Sequence, residues 1–150
     1  MIGLTRGLVA ALALLLLPAV AHAGPLSGEW IGSYVCAQGE TALTLSIEDA
    51  GRDAPRGDIV ADFRFSALPH NPAVPSGSFS MRGRIDAGSG RIELYGERWR
   101  QRPFLYEMVN LFGGYARTID GDVISGEVGF PAAPGACTVF RVVRPPPRIS

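Results

Sequence analysis

The chain has 150 residues, 47% hydrophobic and 19% charged, with a formal net charge of zero. That apolar share excludes an intrinsically disordered chain, and the length suits one domain with its own core. The charge balance removes any global electrostatic reason to seek nucleic acid, although all 14 basic residues are Arg.

A leader comes first. Residues 1–6 carry one positive charge, Arg6; residues 7–20 form an apolar run; Ala21-His22-Ala23 is a small-x-small cleavage box. That order marks residues 1–23 as a secretory signal peptide. The apolar run is short of the roughly 20 residues a spanning helix needs. The expected mature chain is residues 24–150, a single domain in the periplasm or secreted, with no membrane span after cleavage.

From there the apolar residues repeat with period two, interrupted by Gly, Pro and Asp, which predicts an all-β domain. Eight strands are expected, at 28–37, 40–49, 58–66, 78–86, 91–96, 105–119, 122–130 and 137–143. The sixth is expected to bend at Gly113-Gly114. A polar loop fills 50–57, the longest loop 67–77, and Pro145-Pro146-Pro147 stops the sheet.

Side-chain sizes set two hairpin registers. Placing Ile85 opposite Ile92 sets Gly83 against Leu94 and Met81 against Gly96, large against small, and Arg84 against Glu93. Asp120-Gly121 reads as a two-residue turn. That turn sets Tyr115 against Gly126 and Gly113 against Val128, an aromatic covering a strand glycine.

Cys36 and Cys137 are the two cysteines. In an exported chain an isolated pair is most simply one disulfide. A metal site needs more donors than these and one mature His supply. Cys36 ends the first strand and Cys137 begins the eighth, so the pair meets when an eight-stranded antiparallel up-and-down barrel closes. A β-sandwich that joins the same ends is the alternative. Closure also brings Trp30 to Arg141 and Arg144, a cation–π arrangement sealing one barrel end.

Trp30-x-Gly32-x-Tyr34-x-Cys36-x-Gln38-Gly39-x-Thr41-x-Leu43-x-Leu45 resembles the opening of a family of small exported bacterial β-domains of uncharacterised function. Asn71-Pro72-x-Val74-Pro75-Ser76-Gly77-Ser78-Phe79, Gly83-x-x-Asp86, Trp99-x-x-x-Pro103 and Tyr106-x-Met108-Val109 continue it over most of 28–143. The resemblance implies export and brings no activity with it. Tyr34-Val35-Cys36, Leu43 and Cys137 more weakly resemble the periplasmic C-type lysozyme inhibitors, small eight-stranded barrels stapled to a Cys near the C-terminus. Their inhibitory loop reads Ser-Gly-x-x-Tyr. Here Ser89-Gly90-Arg91-Ile92-Glu93 lacks the Tyr, and Ser76-Gly77-Ser78-Phe79 carries its aromatic one place early.

Two segments are candidate recognition elements. The 67–77 loop holds His70, Asn71 and Ser76, with Phe79 just beyond. Pro69, Pro72 and Pro75 restrict the free chain, so ordering it on a ligand costs less. The bland alternative is a stiff connector. The 97–106 connection holds Arg98, Trp99, Arg100 and Arg102, able to grip an anionic group by bidentate contacts and stacking. Its bland alternative is a Trp99 that caps the core while the arginines stay in water.

No catalytic triad, metal-ligand spacing or cofactor motif is present, so no catalytic residue, metal or cofactor is assigned. The expected function is non-enzymatic binding of an envelope polymer or of a protein such as a lysozyme. Two alternatives remain: an inhibitor of lysozyme or another hydrolase acting by loop insertion, and a small hydrolase using His70. The last would need a nucleophile and an orienting carboxylate beside the imidazole.

Overall fold

A computed structural model describes residues 24–49, 58–86 and 88–144. The leader at 1–23, the 50–57 loop and the prolines at 145–147 lie outside the described residues. The strands are β1 (Gly28–Cys36), β2 (Gly39–Asp49), β3 (Asp58–Ser66), β4 (Gly77–Ile85), β5 (Arg91–Gln101), β6 (Asn110–Thr118), β7 (Gly121–Gly129) and β8 (Val139–Arg144). Each pairs antiparallel with the next, and β8 pairs with β1, which closes the barrel and leaves the sandwich without support. Closure removes the sheet edges that would otherwise recruit another chain.

Alternation decides what fills the interior. Trp30 and Tyr34 from β1, Leu43, Leu45 and Ile47 from β2, and Ile59, Phe63 and Phe65 from β3 are all buried. Phe63 and Phe79 stack with centroids 4.6 Å apart, and Tyr34 meets Phe63 edge-on at 5.2 Å. Side chains, not a ligand chamber, occupy the middle of the barrel. Cys36 and Cys137 form the disulfide, 101 residues apart in sequence.

The β4–β5 hairpin has the expected register: Ile85 faces Ile92, Gly83 faces Leu94, Met81 faces Gly96 and Arg84 faces Glu93. On the outer wall Glu93 sits between Arg84 at 3.6 Å and Arg91 at 3.3 Å.

Four expectations are corrected. The β6–β7 loop is Ile119-Asp120, with Thr118 facing Gly121, so Tyr115 faces Ile124 and Gly113 faces Gly126. Gly121 is not a loop residue; it opens β7 with φ 128°, a conformation few side chains tolerate. The aromatic over the paired glycines comes from the other side: Phe140 on β8 lies opposite Gly126.

β5 runs to Gln101 rather than stopping at 96. Two register shifts against β4 leave Glu97 and Arg100 without partners in the ladder, and such bulges break the alternation that a strand shows in sequence. β6 begins at Asn110, not 105, because residues 102–109 form a loop. Asn110 Oδ1 caps the join by accepting from Gly96 N at 3.0 Å. Finally, Arg144 alone reaches Trp30, its guanidinium 4.4 Å from the ring centroid. Arg141 faces Ser33 and Ser125 and is exposed on the outer wall.

Candidate functional site

The two barrel ends differ. Among the described residues, one carries the short 119–120 turn and the turn in which Gly90 N donates to Asp86 O at 2.8 Å. The other gathers the 37–38 turn and the loops at 67–76, 102–109 and 130–138. Long connections on a rigid barrel are where recognition residues collect. Most of the residues singled out above sit at or near this loop end.

The 67–76 loop is tied down. Asn71 Nδ2 donates to Gln38 O at 2.7 Å and to Glu40 O at 2.9 Å, stapling the loop to the β1–β2 turn. Val74 is buried beneath it, and Asn71 N donates to Leu68 O at 2.9 Å. His70 is exposed, with Nε2 at 3.0 Å from Glu40 Oε2. An orienting carboxylate is therefore present, but among the described residues no serine hydroxyl bonds to His70. Ser76 is exposed. Phe79 is 1% exposed and stacked on Phe63, so its side chain belongs to the core and offers a macromolecular ligand nothing.

The basic-aromatic cluster lies on β5 and just past it, not in a connection. Trp99 turns inward onto Phe79 at 5.1 Å and Phe65 at 6.4 Å, and so caps the core. Arg98, Arg100 and Arg102 point to water. Arg100 Nε donates to Asp62 Oδ1 at 2.7 Å. Arg102 Nη2 donates to Glu107 Oε1 at 2.7 Å and Nε to Tyr106 O at 2.9 Å, with the guanidinium 5.8 Å from the Trp99 centroid. Only Arg98 of the three lacks a carboxylate among the described residues. The cluster carries little uncompensated charge. Replacing Arg98, Arg100 and Arg102 together with Gln should cost about 2 kcal/mol or less in urea unfolding, since it breaks two exposed ion pairs that contribute ~0.2–1 kcal/mol each.

Sequence reasoning missed the residues that stand out most. Phe104 is 88% exposed and Leu105 81% exposed, side by side at the tip of the 102–109 loop. Leu105 has φ 65°, the left-handed region that costs a branched side chain roughly 1–2 kcal/mol. Tyr106 N donates to Pro103 O at 3.2 Å, so the tip is a defined turn. The signal was available: Phe104-Leu105-Tyr106 after Pro103 is a run of three large apolar residues that breaks the period of two.

Beside the tip lies an open cavity of about 260 Å³, lined by Tyr34, Cys36, Tyr106, Val109, Phe130 and Cys137 among others. Tyr106 stacks on Phe65 at 5.4 Å, which joins the cavity wall to the core. Burial, with Tyr106 adding, pushes the Tyr34 hydroxyl well above its ordinary range, so it stays neutral. Gln38 Nε2 donates to it at 3.3 Å. The cavity thus presents aromatic rings, a disulfide and a neutral hydroxyl, with Gln38 and an Arg102-paired Glu107 as its other polar lining. That chemistry suits an apolar side chain rather than proton transfer.

A larger groove of about 550 Å³ crosses the outer wall of β2–β5, past Glu48, Asp62, Arg82, Glu97, Arg98 and Arg100. Four of those six charges are already paired with one another, Arg82 with Glu97 at 3.3 Å and Arg100 with Asp62 at 2.7 Å. The loop end is the better site, because its exposed apolar groups gain by leaving water.

No family model, curated protein or solved structure matches the chain.

Proposed function

We propose that this is an exported, non-enzymatic binding domain that holds a protein partner at the loop end of the barrel. One observation carries the reading: two adjacent large apolar side chains, Phe104 and Leu105, stand in water on a strained turn beside an apolar cavity. Exposed apolar clusters of this kind mark interaction sites, and aromatic anchors dominate interface energetics. Strained backbone persists at functional positions because the surrounding structure fixes it. An envelope polymer has less support, because Arg100 and Arg102 are occupied by Asp62 and Glu107. Export is supported by the leader pattern and by the disulfide. The outer wall bears ion pairs such as Arg64–Glu29 and Arg100–Asp62, which suit water rather than lipid.

The protruding tip also favours a second reading, inhibition of a lysozyme or another hydrolase by loop insertion. The inserting residues would then be Phe104 and Leu105. Ser89-Gly90 sits in the turn between β4 and β5 at the far end, and Gly77 is buried at the start of β4.

The test uses the double variant Phe104→Ser, Leu105→Gly beside Ile119→Ser, since Ile119 is 97% exposed at the opposite end. A partner captured from the exporting cell's envelope should be lost by the first variant and kept by the second. Equal retention by both would move the site elsewhere. A panel of lysozymes assayed with wild type and double variant decides the second reading: inhibition must be present and must depend on the tip. The double variant should be as stable as wild type or up to about 1 kcal/mol more so, because Gly adopts the Leu105 conformation without cost.

A further inference from the structure

The end opposite the loops is closed by residues 24–27, and every one of them is held. Gly24 N donates to Asp49 O at 2.7 Å. Leu26 is fully buried, and its N donates to Asp49 Oδ2 at 3.3 Å. Ser27 Oγ donates to Asp49 O at 3.0 Å and accepts from Asp49 N at 3.1 Å. Arg144 Nη1 donates to Ser27 O and Nη2 to Pro25 O, both at 2.6 Å. Asp49 itself is only 5% exposed. Gly24 lies so close over its carboxylate that a Cβ at position 24 would overlap Asp49 Cγ and both carboxylate oxygens.

We propose that Gly24 is the mature N-terminus and that its α-ammonium, created by leader removal, is bound by the Asp49 carboxylate at the barrel floor. The proposal rests on the export reading above. A leader peptidase adds water across the Ala23–Gly24 amide. The carboxylate departs on Ala23 with the leader, and the amine stays on Gly24 and takes up a proton. An amide with one donor becomes an ammonium with three. One donor stays on the Asp49 main-chain oxygen, and the others lie beside the carboxylate that Gly24 already covers. The nearly buried carboxylate gains an opposite charge at close range.

The floor also selects the cleavage site. Ala19-Val20-Ala21 is a second small-x-small triplet, and cleavage after it would leave His22-Ala23 ahead of Gly24. An uncharged amide would then face Asp49. Cleavage after Ala23 puts the α-ammonium at the carboxylate, and any larger first residue would have to displace the Asp49 side chain.

Intact-mass analysis of the exported protein should give residues 24–150. A start at His22 overturns the proposal alone, and a retained leader overturns the export reading with it. The charge is tested on purified chains whatever their route of production. A chain beginning at Gly24 is compared with one beginning His22-Ala23, each with and without Asp49→Asn. The extension should lower Tm by ~4 °C or more in the wild-type background, and by less than half as much in the Asp49→Asn background. Equal drops in both backgrounds would mean a steric effect and overturn the amine site. If Asp49→Asn does not fold, a crystal structure of the Gly24 chain decides: the α-nitrogen lies about 3 Å from an Asp49 carboxylate oxygen, or the proposal fails.

Discussion

Trp30→Ala should destabilise the protein by about 3–5 kcal/mol, the range for a fully buried aromatic. Trp30 has no exposed surface. Its Nε1 donates to Leu26 O at 2.9 Å, Tyr115 meets its ring edge-on at 6.1 Å, and Arg144 covers it at 4.4 Å. Truncation opens a void, strips the Leu26 carbonyl of its donor and leaves the Arg144 guanidinium without its ring. The loss would be read from urea unfolding, and a value under about 1 kcal/mol would mean that this end is not packed. Arg144 adds a pH signature. Its hydrogen bond to Asp122 at 2.7 Å holds that carboxyl below its ordinary range. A lowered carboxyl stabilises the fold fully above its unfolded value of about 3.9 and loses that contribution as pH falls further. Asp122→Asn should therefore flatten the acid limb of the stability profile.

Loss of the disulfide ranks beside it. Its cysteines are separated by 101 residues, and closing a loop of about 100 residues is worth roughly 4.7 kcal/mol in the chain-entropy model. Cys36→Ser with Cys137→Ser should lose about 4–5 kcal/mol, and the wild type in reductant should lose the same. Because both cysteines line the cavity at the loop end, the proposed partner binding should weaken in the variant even where it remains folded. A stability loss below about 1 kcal/mol would mean that the reduced, unfolded chain already keeps its two ends together.

Pattern and size make much of the barrel legible in the sequence. The β4–β5 register follows from setting Ile85 against Ile92, because that pairing matches both Met81 and Leu94 to glycines. The β6–β7 register goes astray because Asp120-Gly121 reads as the loop, whereas the positive φ that glycine supplies is needed one step later, at the first residue of β7. The error is an even number of residues, so the inward set survives while the cross-strand neighbours do not. The end of β5 is hidden by bulges at Glu97 and Arg100, which interrupt alternation without ending the strand.

The candidate binding end is half legible. The long loops and the Trp99 cluster point to it, but charge draws attention to arginines whose partners, Asp62 and Glu107, only the fold reveals. Asp62 is 38 residues from Arg100 in sequence. Leu105 reads as the first residue of a strand, where one of each adjacent pair would be buried. Its exposure, and that of Phe104, depends on the turn at Pro103–Tyr106, a local geometry that periodicity does not encode.

Closure of the sheet by β1 and β8 is what gathers the loops at one mouth and the N-terminal segment at the other. Native-state amide hydrogen exchange tests it directly, because amides in a closed seam open only with the whole barrel. The β8 amides of residues 139–144, and those of β1 at 31–34 that face them, should exchange as slowly as the β2–β3 amides. Exchange of β8 at the rate of the 130–138 loop, with β2–β3 still protected, would mean an open sheet and would dissolve both the candidate site at the loop end and the floor at the other.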